Sequence, residues 1–366
     1  MGLNRFASAL VLGAIGLGVA ALGTAATAAD MVLKAPPAPA PAPEWPLDVH
    51  GFFDISFKND YITPRGLLVT NTGLTTQILG GLVFDVYKDK YGFINDVSFY
   101  GYVWNDLWSE QNDTHVGSWN EFDWGVGTAI KFAQNWKFTA EYLEFLPPAH
   151  DLLTSFPAIE RNIELGLFYD DSSWWHVPFA INPYAKLFYH TSGPSVVVLG
   201  NTENVYDVEL GIVPTYDFSK AAGAPMGAGF PLTISAPTWV TVGPSTFWNK
   251  NVYIAGSGTP ADLLTRLVAG ASNFCGPLNN QACPLSNAGV FSTGLTAKLG
   301  LERWIPARLG HWYAKAGFQY YYLINDALLA AQIFTGTAGG ASNVFGAYSL
   351  SHRDVGVGFG GVGVSF

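Results

Sequence analysis

Residues 122–132 read FDWGVGTAIKF. Phe122, Trp124, Val126, Thr128, Ile130 and Phe132 share one parity. Asp123, Gly125, Gly127, Ala129 and Lys131 share the other, with Glu121 in the same register. A period of two belongs to a β-strand, whose successive side chains point to opposite faces. Here one face is large and apolar and the other is small or charged. A strand of a lipid-embedded barrel has that division, apolar outward and polar toward the lumen.

The pattern recurs along the chain. Residues 49–58 place Val49, Phe53, Ile55 and Phe57 against His50, Asp54, Ser56 and Lys58. Residues 74–87 place Leu74, Ile78, Leu82, Phe84 and Val86 against Thr75, Gln77 and Asp85. Segments 95–104, 136–145, 162–170, 181–190 and 205–217 alternate in the same way, 231–242 does so more weakly, and 290–302 and 312–324 do so strongly. Segment 353–366, RDVGVGFGGVGVSF, completes the series. Its glycines 356, 358, 360 and 361 leave room on the lumen side or mark a bulge, after which Val362, Val364 and Phe366 take the other parity. Gly356 to Gly361 also fits G-x-G-x-x-G, but a dinucleotide fingerprint needs a following helix, and the sequence ends five residues on. The predicted fold is therefore all-β: a transmembrane antiparallel barrel of about 12 strands, with 10–14 as the range and an even number expected. Pro183 and Pro214 lie inside two segments and predict strand starts, bulges or shifted boundaries there.

Composition agrees. Hydrophobic residues make up 49% of the chain and charged residues 13%, against about 25% charged in a soluble domain. Beyond the N-terminal run there is no stretch of about 18 uncharged apolar residues, so helical spans are excluded and a closed barrel remains. A soluble β-sandwich also alternates, but its outward face is polar, and here the polar face is too small and glycine-rich.

The N-terminus predicts a signal peptide over 1–29: Arg5, the apolar run Phe6–Gly23, then small residues up to Ala29. Residues 30–46 include an alternating Ala-Pro run, which favours extended polyproline II, and read as a Pro-rich periplasmic leader. The barrel would occupy 47–366. Short connections after strands two, four, six and ten, and long ones after three, five, nine and eleven, place both barrel termini in the periplasm.

The ending, with a terminal Phe366 and apolar residues at alternate positions before it, resembles the assembly signal of bacterial outer-membrane proteins. That resemblance implies the barrel-assembly machinery as a partner. The leader AADMVLKAPPAPAP is similar to those of alphaproteobacterial outer-membrane proteins. The first hairpin, Asp54–Tyr87, resembles the start of a porin family with a Tyr-x-x-x-Arg-Gly element, here Tyr61-Ile62-Thr63-Pro64-Arg65-Gly66 with an inserted Pro64. These resemblances imply a location in the bacterial outer membrane and transfer no substrate.

No catalytic motif stands out. The seven histidines lack H-x-x-x-H and H-E-x-x-H spacing, so no metal is expected. Ser257 in IAGSGTP falls short of a nucleophile elbow. No cofactor is implied, and no basic patch suggests nucleic acid. Cys275 and Cys283 lie in the long segment 243–289 of an exported chain and predict one disulfide, stabilising by about 2–3 kcal/mol. The same segment includes TPADLLTRLVAG, where Thr259 or Asp262 could start a short helix.

The expected pore-lining charges are Asp54, Lys58, Glu121, Asp123, Lys131, Glu141, Glu164, Lys186, Asp207, Glu209, Lys298, Glu302 and Lys315. With a formal net charge of −10, they suggest passive diffusion of small hydrophilic solutes or ions through a porin-like channel with weak cation preference. A barrel whose charges pair and fill the lumen, presenting its extracellular loops, is the alternative. A barrel enzyme acting on envelope lipid or polymer is the third.

Overall fold

The structure, a computed structural model, describes residues 47–66, 68–70, 73–110, 117–146, 160–192, 205–220, 231–244, 287–325 and 353–366. The expected signal peptide, Pro-rich leader and Cys275–Cys283 disulfide lie outside these residues. So does the 259–270 helix start.

The first half of the wall comprises β1 (Asp48–Lys58), β4 (Thr75–Lys88), β5 (Ile94–Trp108), β6 (Trp119–Phe132), β7 (Trp136–Leu146) and β8 (Glu160–Tyr169). The second half comprises β10 (Pro183–Ser192), β11 (Val205–Ile212), β14 (Thr238–Val242), β15 (Ala288–Gly300), β16 (His311–Leu323) and β17 (Asp354–Ser365). Each pairs antiparallel with its neighbours. β14 also pairs with β15, and β17 with β1, so the 12-strand barrel closes without an edge. Closure gives each edge of the wall a neighbouring strand to pair with, which backbone N–H and C=O groups in hydrocarbon require.

Five short strands accompany the wall. β2 (Tyr61–Ile62) and β3 (Leu68–Thr70) form a separate two-stranded ribbon within the β1–β4 connection. β9 (Phe179–Ala180), β12 (Thr215–Asp217) and β13 (Leu232–Ser235) extend β10, β11 and β14 past breaks at Asn182-Pro183, Pro214 and Pro237. Proline offers no N–H to a ladder, so three neighbouring strands bend in a row. The bends are bridged by backbone bonds such as Val213 N–H to Ile181 O and Ala236 N–H to Pro214 O, both 2.8 Å.

The outer face carries the large apolar parity. Phe53, Phe57, Leu82, Phe99, Val103, Val126, Leu210, Leu295 and Phe318 are all exposed there. At the short-turn end a chain of rings, Phe93–Phe132–Trp136–Tyr169–Trp174, runs from turn to turn with centroids 4.7–6.4 Å apart. An apolar band rimmed by aromatic rings marks a lipid-embedded outer-membrane barrel, in which the short turns are periplasmic. β1 starts and β17 ends at that rim. In the β4–β5 turn the backbone N–H groups of Tyr91 and Gly92 hold the Asp89 carboxyl below the usual carboxylate range. In the β6–β7 turn Ala133 and Gln134 both take positive φ, 45° and 68°.

The closing strand departs from expectation. β17 runs in unbroken register against both β1 and β16, so Gly360-Gly361 forms no bulge. Gly356, Gly358 and Gly360 share the outward parity of Val362 and Val364, and only Gly361 and Gly363 face the lumen. Val355, Val357 and Phe359 take the remaining inward places. The apolar residues thus pass from the inner to the outer parity while the backbone continues undisturbed.

Candidate functional site

The inner wall of a 12-strand barrel is narrow, and its side chains meet one another. Rings lie close over glycines of the next strand: Tyr102 over Gly125 and Tyr100 over Gly127, which are register partners. A Cβ at Gly125 would stand 2.5 Å from Tyr102. This use of glycine, close approach of a ring, explains why the lumen parity reads small in the sequence.

Twelve of the expected lining charges face inward, each in register with other inward residues. Glu141 accepts hydrogen bonds from Tyr100 Oη (3.0 Å) and Tyr102 Oη (3.4 Å) and lies directly across from Glu164. Lys186 Nζ is 3.2 Å from Glu164 Oε1, Tyr184 Oη donates to Glu209 (2.8 Å), and Lys131 pairs with Asp96 at 3.1 Å. Lys298 lies over the Tyr313 ring at 4.0 Å. Glu302 is the exception. β15 stops at Gly300, the chain turns with Trp304 and Ile305 N–H on Leu301 O, and Glu302 is exposed 3.6 Å from His311. It belongs to the periplasmic turn and not to the lining.

The residue that organises the middle of the lumen comes from no wall strand. The β1–β4 connection turns inward at Tyr61–Gly66, all six residues buried. Tyr61 packs on Trp104 with centroids 5.5 Å apart. Arg65, only 2% exposed, lies with its guanidinium carbon 3.8 Å from the centre of the Phe188 ring. Its Nε is 3.1 Å from Asp207 Oδ1, and Nη2 is 3.7 Å from Glu164 Oε2. Glu164, Phe188 and Asp207 are register partners on β8, β10 and β11. One row of three adjacent strands thus offers acid, ring and acid to a planar cation, an arrangement matched to the guanidinium fork and face.

A second group closes the barrel seam. Tyr313 and Lys315 on β16 reach across β17 to Asp54 on β1, with Tyr313 Oη donating to Oδ2 at 2.6 Å and Lys315 Nζ to Oδ1 at 2.5 Å. Ser56 Oγ adds a third donor at 2.9 Å. The strand they cross presents Gly363 and Gly361 at those levels, so nothing stands between.

Sequence reasoning missed Arg65, Asp106, Lys137 and Glu160 as lumen residues. Asp106 faces Glu121 on the extracellular half, near Asp123 and Glu160, all nine-tenths buried. The alternation of 95–104 and 162–170, continued by two residues each, reaches Asp106 and Glu160. Lys137 has the parity of Glu141 and lies over the Phe168 ring at 4.4 Å. Arg65 sits in a turn, where no period could have signalled it. At the periplasmic rim His50 Nε2 lies 3.2 and 3.1 Å from Asp48 and Asp85, the one group among the described residues with metal-ligand proximity. Lys88 Nζ already bridges both carboxylates, at 3.3 and 2.9 Å.

Neither a family model nor a curated protein sequence matches the chain. Solved structures similar in shape include the COG4313 outer membrane channel from Pseudomonas putida F1, at 8% identity and TM-score 0.44 over 90% of this chain and 99% of that one. The translocator domain of the autotransporter NalP from Neisseria meningitidis aligns at 9% identity and TM-score 0.36, covering 100% of this chain and 95% of the other. The β domain of the Bordetella autotransporter BrkA gives 9% and 0.38, over 87% and 100%. At these identities and scores the likeness carries no functional detail to this chain.

Proposed function

We propose that the protein is an outer-membrane channel for small hydrophilic solutes, narrowed at mid-height by the inward turn Tyr61–Gly66 and weakly preferring cations. One observation carries this reading: the turn is held through Arg65 by wall carboxylates on Glu164 and Asp207 rather than by a continuous apolar seal. Buried ion pairs are poor stabilisers compared with apolar packing of equal volume. A barrel needing only to be solid has no use for a lumen parity so rich in charge. Cation preference follows from the acidic group at the extracellular half, Asp106, Glu121, Asp123 and Glu160, because rings of like charge select ions in a pore.

The test is single-channel recording of the chain from Asp30 onward, refolded into a planar bilayer under a salt gradient. Openings with a cation-selective reversal potential are expected. Glu121→Gln with Asp123→Asn should move that potential toward the non-selective value.

A non-conducting barrel is the second reading. The ring contacts Tyr61–Trp104, Phe145–Phe188 and Trp239–Tyr321, at 5.5–6.4 Å, favour it by thickening an apolar layer across the lumen. A folded barrel that stays silent in every variant would select it. In either case Phe366, 66% exposed and hydrogen-bonded through its backbone to Gly51, is the residue through which the assembly machinery would grip the closing strand. Its deletion should lower the yield of barrel in the outer membrane.

A further inference from the structure

We infer that the Glu164–Phe188–Asp207 row is a lumenal binding site for guanidinium-bearing cationic solutes, and that Arg65 is its tethered occupant. The inference deepens the channel reading and rests on it, since a free solute reaches the row only through the lumen. The row has the features of a receptor. It is formed by three adjacent wall strands in direct register, so its spacing is fixed by the sheet. It stacks the cation on a ring at 3.8 Å and flanks it with two carboxylates. All three side chains are buried, yet Asp207 Oδ2 has no hydrogen-bond partner among the described residues. Arg65 engages Asp207 through Nε and a single carboxylate oxygen, where a guanidinium presented end-on would offer two parallel donors. The site is thus filled by its own chain with one of the two Asp207 oxygens engaged, and a free guanidinium can improve on that.

Lysine is a poorer fit, because a compact ammonium has no fork for the carboxylate and no flat face for the ring. The neighbouring Lys186, 3.2 Å from Glu164, adds positive charge on one side only. The favoured solutes are therefore free arginine and decarboxylated or short-peptide guanidinium cations.

The experiment uses the full barrel with Arg65→Ala, recorded in bilayers and melted in detergent, with arginine, lysine or neutral citrulline added. Arginine should interrupt the Arg65→Ala current at concentrations at least tenfold below those of the other two, and should raise its unfolding temperature. Asp207→Asn in that background should abolish both effects. A conducting Arg65→Ala barrel indifferent to the choice of solute overturns the inference and leaves the channel intact. A silent barrel stabilised by arginine but not by citrulline overturns the channel and leaves the binding site. If Arg65→Ala does not refold, Arg65→Lys replaces it. Arginine should then displace the tethered ammonium with the same order of potency among solutes, and equal potency overturns the inference.

Discussion

Two of the buried ion-pair groups among the described lumen residues look alike and are built differently. At the seam, Asp54 receives Tyr313, Lys315 and Ser56, so both carboxylate oxygens are bonded, and every member belongs to a wall strand. At mid-height, Arg65 comes from a turn, meets Asp207 at one oxygen and approaches Glu164 only to 3.7 Å. The first group joins β1 to β16 over the closing strand and adds side-chain bonds to the backbone ladders that close the wall. The second joins a connection to a wall that is complete without it. Equal burial therefore does not mean equal purpose. Satisfied valence and wall-to-wall connectivity mark the structural pair, and an unsatisfied oxygen with a tethered donor marks the one that can exchange.

The largest expected effect breaks the first group. Asp54→Ala removes the carboxylate from the buried Lys315 ammonium and should destabilise the barrel by about 3–5 kcal/mol, measured by urea unfolding in detergent. Arg65→Ala should fall well short of that in the same assay, because the wall stays closed. If the two cost the same, the distinction fails. Gly361→Val fills the gap that Lys315 reaches across and drives its side chain into the Ile55 carbonyl on β1. It should cost about 1–3 kcal/mol by overpacking while sparing the Arg65 contacts. Phe188→Leu removes the ring beneath the guanidinium and should weaken the hold on Arg65 by about 0.5–2 kcal/mol, read as more frequent channel opening with little change in unfolding. The smallest effect lies outside both groups: Gln134→Asn, at φ 68°, should stabilise by about 0.5–1 kcal/mol, since Asn tolerates the left-handed region better.

Much of this architecture was legible in the sequence. A two-residue period with large apolar residues on one parity and Gly, Asp, Glu and Lys on the other reports strand, membrane and lumen together, and it located all 12 wall strands. It also assigned Asp54, Glu164 and Asp207 to the inner face. The pairing of those residues was not legible, because strand register across the barrel is set by turns and by shear rather than by any local pattern. Arg65 lies within the Tyr-x-x-x-Arg-Gly element yet carries no lumen signal, because a turn has no parity. The glycines of β17 misled in detail. Alternation alone could not tell that Gly356, Gly358 and Gly360 point outward while Gly361 and Gly363 make way for Lys315 and Tyr313. Nor could it mark Pro237, which breaks β14 beside Pro214, because a proline's effect depends on which neighbour has lost its donor.

The most direct test of the account is a paired recording of wild type and Arg65→Ala at one voltage and salt concentration. Larger and longer openings are expected in Arg65→Ala, with an unfolding midpoint near that of wild type. Identical conductance in the two barrels, or silence in both, would contradict it.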